Sequence, residues 1–105
     1  MEQEEQLATG QGVRITRIVS HGQVSPADFW YDQSEAEWVA LLAGQAHLEI
    51  AGEPRPRRLV PGDWLLLPAG CRHRVAWTAP ETETVWLAIF FPDTIKKTTP
   101  LPGGD

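Results

Sequence analysis

Short stretches of alternating or continuous apolar residues, separated by glycine and proline, run along this chain. Residues 13–19 (VRITRIV) space β-branched side chains with Arg and Thr, which suits a strand. In residues 45–52, Ala46, Leu48 and Ile50 alternate with His47 and Glu49, a period of two. In residues 73–77, His73, Val75 and Trp77 share one face, and Arg74 and Ala76, with the preceding Arg72, take the other. Three apolar runs complete the set. Residues 64–67 (WLLL) read as a buried strand stopped by Pro68, and 85–91 (VWLAIFF) as a last strand apolar on both faces. For residues 37–43 (EWVALLA), length alone does not separate a strand from a helical turn. Gly44-Gln45 sits between two apolar runs as a hairpin turn would. Residues 53–59, with two prolines, read as a loop or strand edge. No capping residue precedes a long face of period 3.6, and no internal repeat is visible. The pattern predicts an all-β barrel or sandwich.

The 105 residues suffice for one domain. Residues 1–12 read as a flexible N-terminal segment, 13–92 as the folded domain, and 93–105 as a Pro/Gly-rich tail.

Charge narrows the function. The net charge of −5 argues against a nucleic-acid groove, which needs a basic field. Arg55, Arg57 and Arg58, and again Arg72 and Arg74, read as a solvated turn and an outward strand face; a site for an anionic ligand is the lesser alternative. Cys71 is the only cysteine, so no disulfide forms within the chain. The acidic, polar N-terminus lacks the features of a signal peptide, and no apolar run is long enough to span a bilayer. A cytoplasmic protein with no nucleic-acid or membrane partner is expected.

Two motifs point further. Gly62, five residues, Pro68, Ala69, Gly70, two residues, His73, three residues and Trp77 follow the pattern G-x5-P-x-G-x2-H-x3-N except at its last position. Glu37 followed six residues later by Gly44 follows the end of a second pattern, E-x6-G. In this order, over about residues 13–92, the chain resembles the cupin superfamily. The resemblance implies an all-β, single-domain, cupin-type jelly-roll β-barrel. Gly62 and Gly70 would then permit the turns that bound a tight strand, and His73, Val75 and Trp77 would point into the barrel.

Metal-binding cupins carry H-x-H three or four residues before the motif-one Glu. Here those positions hold Tyr31 and Gln33, or, with the longer spacer, Trp30 and Asp32. Only Glu37 and His73 carry over as ligands. Three readings stay open. In the first, Glu37, His73 and Gln33, with Asp32 or Tyr31 as a further oxygen donor, hold one divalent metal such as Zn, Mn, Fe or Ni. In the second, Tyr31, Gln33, Glu37, His73, Val75 and Trp77 line a metal-free pocket for a small molecule. In the third, Glu37 and His73 pair in a filled, structural barrel. Cys71 is a conceivable thiolate donor, although a lone cysteine usually behaves as a small apolar residue. His21 falls in a surface turn and His47 points outward. The function expected is that of a small cupin binding a small molecule or, weakly, a metal. The alternative is a metal-dependent dioxygenase or isomerase. A Glu37–His73 acid–base pair would also fit an isomerase, epimerase or lyase.

Trp38, Ala40 and Leu42 alternate away from Glu37, Val39 and Leu41 and should lie outside. An outward apolar stripe asks for cover, and a homodimer would supply it; the alternative is that residues 1–19 or the tail fold back over that face.

Overall fold

The computed structural model describes residues 2–92; the tail expected at 93–105 lies outside the described residues. Eight strands follow in order: β1 Gln3–Gly10, β2 Val13–Ser20, β3 Ala36–Ala43, β4 Ala46–Ile50, β5 Arg57–Leu59, β6 Trp64–Leu67, β7 His73–Thr78 and β8 Thr84–Phe91. Among the described residues there is no helix, and so none long and apolar enough to cross a membrane.

All strand pairs are antiparallel and make two sheets, one ordered β1-β2-β8-β3-β6, the other β5-β4-β7. Among the described residues, no strand ladder closes them into one ring. Their inner faces share one core. Val39 and Leu41 of β3, Leu65 and Leu67 of β6, and Trp86, Ala88 and Phe90 of β8 meet Ala46, Leu48 and Leu59 of the smaller sheet. Residue alternation supplies this layer, because every second side chain of each strand turns inward.

Two expectations need correction. The stretch read as a flexible N-terminal segment forms β1. Its residues carry no apolar alternation and are all exposed, so backbone pairing to β2 across the Gln11-Gly12 turn, not burial, makes the strand. Gly44-Gln45 is not a hairpin turn either: β3 and β4 belong to different sheets, and the chain crosses between them there. Gly44 has φ +83°, and a Cβ at this position would stand 2.6 Å from the Thr84 Cα. Only glycine turns this corner without displacing β8.

On the outer face of the large sheet, Ile15, Ile89, Trp38 and Leu66 form one row across four strands, and Leu87, Ala40 and Trp64 form the next. Trp38 and Trp64 stack there with centroids 6.0 Å apart. The expected outer position of Trp38 and Ala40 is therefore met. Leu42 is exposed at a bulge between Leu41 and Ala43.

Candidate functional site

Glu37 and His73 reach the space between the sheets by different routes. Glu37 shares the inner face of β3 with Val39 and Leu41. His73 opens β7, whose inner face continues with Val75. The crossover from residue 21 to 35 is stitched along β7. Tyr31 N–H donates to the His73 carbonyl at 2.7 Å, and His73 N–H returns to the Tyr31 carbonyl at 3.1 Å. Gly70 N–H donates to the Gln33 carbonyl, and Val75 N–H donates to Ser25 Oγ. This irregular strand brings Tyr31 and Gln33 beside His73, with the Tyr31 and His73 rings stacked at 5.4 Å.

These residues line a cavity of about 190 Å³. Its apolar walls are Ile18, Val39, Leu48, Leu67, Val75 and Trp86, and its polar groups include Tyr31, Gln33, Glu37 and His73. Glu37 and His73 are buried, at 8% and 5% exposure, while Tyr31 is exposed at the rim.

The hydrogen bonds assign the histidine's proton. His73 Nδ1 lies 3.0 Å from the Cys71 carbonyl, which only accepts, so Nδ1 carries hydrogen. His73 Nε2 then faces Glu37 Oε1 at 3.6 Å. A neutral ring would turn a lone pair toward the carboxylate; an imidazolium turns a proton toward it. Burial alone would lower the pKa of His73, but the Glu37 carboxylate and the Cys71 carbonyl outweigh it, and the value is raised. At 3.6 Å the pair is an ion pair rather than a direct hydrogen bond. Burial, followed by the charges of Glu2, Glu4 and Glu37, raises the pKa of Tyr31, which keeps its hydroxyl a donor. The site thus holds an acid, a base and a phenolic donor, a set able to bind polar groups or to move a proton.

Of the residues expected in the pocket, Tyr31, Gln33, Glu37, His73 and Val75 are there, and Trp77 is not. A bulge is the reason. His47 pairs with Trp77 and Leu48 with Val75, so Ala76 is skipped and the alternation of β7 reverses. Trp77 lies against outward His47, with ring centroids 4.7 Å apart. Asp32 is exposed and Trp30 packs under Arg72, so neither faces the cavity; the structure matches the three-residue spacer. His21 is exposed. Glu2, Glu4, Arg14 and Phe90 also line the cavity and were not expected there. The two glutamates escaped notice because β1 did. The Gly10-Gln11-Gly12 turn was the available signal, since an X-Gly pair favours a hairpin.

The basic clusters are largely accounted for as structure. Arg57 makes a two-pronged contact with Glu53, at 2.9 and 2.8 Å. Arg74 holds Glu49 and the Ser25 carbonyl.

The donor set does not suit a transition metal. Nε2 of His73 is oriented as a ligating nitrogen would be, with Nδ1–H held by a carbonyl. Only Glu37 joins it as an anionic donor near that nitrogen, and no group of three or more His, Cys, Asp or Glu able to hold a metal occurs among the described residues. Gln33 and Tyr31 are weak substitutes for the missing imidazoles. Burial, then Glu53, raises the pKa of the Cys71 thiol, which disfavours the thiolate.

The comparisons with known proteins agree on the fold. The family model for the cupin domain matches residues 18–90. A candidate mannose-6-phosphate isomerase from Ralstonia eutropha JMP134 is 48% identical, with a TM-score of 0.86, over 88% of this chain and 85% of that one. A cupin superfamily protein from Desulfitobacterium hafniense DCB-2 is 20% identical, with a TM-score of 0.72, over 89% and 79% of the two chains. KdgF from Halomonas sp. is 22% identical, with a TM-score of 0.72, over 87% and 80%. The comparison with curated proteins found no match.

Proposed function

We propose that this chain, which belongs to the cupin domain family, binds a small polar molecule between its two sheets without relying on a transition metal. We take the sheets as the two halves of the family's jelly-roll barrel. The observation that carries the reading is the buried Glu37–His73 pair, 3.6 Å apart in a cavity with apolar walls. A few polar groups on apolar walls are the usual composition of a small-molecule site. A ligand hydroxyl or amine would insert against the pair and take the hydrogen bond that the pair leaves unmade.

A second reading, catalysis, is favoured by the 48% identical Ralstonia relative, whose name suggests a sugar-phosphate isomerase. His73 and Glu37 would serve as acid and base on the bound substrate, with Tyr31 as hydrogen-bond donor.

The test combines ligand-observed NMR against a small-metabolite library with metal content by mass spectrometry. Binding should be lost in His73→Ala while the circular dichroism spectrum is kept. Near one metal per chain, lost in the same variant, would overturn the metal-free reading.

The homodimer is part of the proposal. The outer rows through Trp38 and Leu87 need cover, and residues 93–105 offer only Ile95 and Leu101 as large aliphatic side chains. A second copy brings a matching face, and two such sheets pack about 10 Å apart. Light scattering should give twice the chain mass, and Trp38→Glu should halve it; a wild-type monomer would leave the tail as the cover.

A further inference from the structure

Charge is unevenly placed around the cavity, and this bears on which ligand the proposed pocket takes. Three carboxylates line it. Glu37 is buried on β3; Glu2 and Glu4 are exposed, so they stand at the open rim. Glu2 uses one oxygen to accept from Ser20 Oγ at 2.8 Å. Among the described residues, no salt bridge engages Glu2 or Glu4. The lining guanidinium, Arg14, is already committed: its Nη2 lies 2.5 Å from Glu35 Oε1, and its Cζ sits 4.3 Å from the centre of the Phe90 ring. Among the described residues, pairing Arg14 with Glu35 and His73 with Glu37 leaves Glu2 and Glu4 uncompensated.

Tyr31 and Trp86 also line the cavity, and aromatic side chains of this kind attract cations; the Tyr31 ring already stacks on His73. At about 190 Å³ it is smaller than the ~300 Å³ where drug-sized pockets begin. Resting on the pocket reading above, we propose that the site selects a small organic cation, an amine or quaternary ammonium, over a phosphorylated sugar. A phosphate dianion would approach two uncompensated carboxylates, and Arg14 would have to leave both Glu35 and Phe90 to meet it. A cation meets the carboxylates first and the rings next. The raised pKa of Tyr31 is due first to burial, with Glu2, Glu4 and Glu37 adding to it in the same direction.

Titration calorimetry with tetramethylammonium, mannose and mannose 6-phosphate tests this, on wild type and on the double variant Glu2→Gln, Glu4→Gln. Both changes fall on exposed positions and keep a side-chain acceptor, and thermal unfolding followed by circular dichroism checks the fold. Tetramethylammonium should bind more tightly than mannose 6-phosphate, shift the Trp86 indole NMR signal, and lose about fivefold or more in affinity in the double variant. Tighter binding of mannose 6-phosphate would overturn the charge selection and leave the pocket standing. Tetramethylammonium binding unchanged in the double variant would also sink the proposal, because the rim would then play no part. If none of the three probes binds, the selection fails; if the metabolite library also finds no ligand, the pocket reading fails with it.

Discussion

The two ends of β3 make a controlled comparison. Glu37, Val39 and Leu41 lie on one inner face, and β8 runs beside all three, with Phe90 next to Glu37 and Trp86 next to Leu41. Leu41 is fully buried in the shared core, whereas Glu37 faces a cavity and an imidazole. β8 pairs with both ends, although β6 pairs only with the Glu37 end and a bulge follows Leu41 at the other. What also differs is the facing element: the aliphatic core meets Leu41, while His73 and the stitched crossover surround Glu37. On the proposed reading one end serves stability and the other recognition, and substitutions should separate the two.

The largest effect is expected at the packed end. Leu41→Ala should cost about 3 kcal/mol in urea unfolding, through lost burial and the cavity left behind. Ligand affinity per folded molecule should hardly change. A loss of affinity as large as the loss of stability would mean that the two ends are not independent.

A smaller, pH-dependent effect belongs to the site end. The pKa of His73 is raised in the folded state, so its stabilising contribution is complete below the unfolded imidazole value, about 6.5. That contribution fades as pH rises through the folded value. Wild-type stability should therefore fall, relative to His73→Gln, as pH rises above about 6.5. Glu37→Gln should flatten the difference. Parallel wild-type and His73→Gln profiles would break the assignment of the ion pair.

Trp77→Ala should have the smallest effect on recognition: none within error, with about 1 kcal/mol of stability lost at the His47 contact. Weakened binding in this variant would show that β7 keeps its alternation in solution and that the bulge at Ala76 is absent.

Much of this was legible in the chain. Period-two alternation in β4 and the apolar runs of β3, β6 and β8 located the inner faces, and the turn motif around Gly62 and His73 pointed to the cupin family. Tyr31, Gln33, Glu37, His73 and Val75 were identified because they sit on or beside those motifs. Trp77 was misplaced because a bulge reverses alternation while leaving no mark in composition: Ala76 is an ordinary strand residue. Glu2 and Glu4 were missed because β1 depends on its neighbour's free edge, and a strand without burial has no apolar signature. Gly44 looked like a hairpin glycine because a corner between sheets and a hairpin both require positive φ.

The strand order β1-β2-β8-β3-β6 sets a timetable for biosynthesis. β8, the last strand of the described chain, lies between β2 and β3 and is the only strand that pairs with both. Until residues 84–91 have left the ribosome, the large sheet can form only as two separate pairs, β1-β2 and β3-β6, with β2 and β3 each lacking the neighbour on one side. Cavity, core and outer apolar rows must then form together after the final strand is released, so the nascent chain depends on its surroundings to keep those faces apart until the centre arrives.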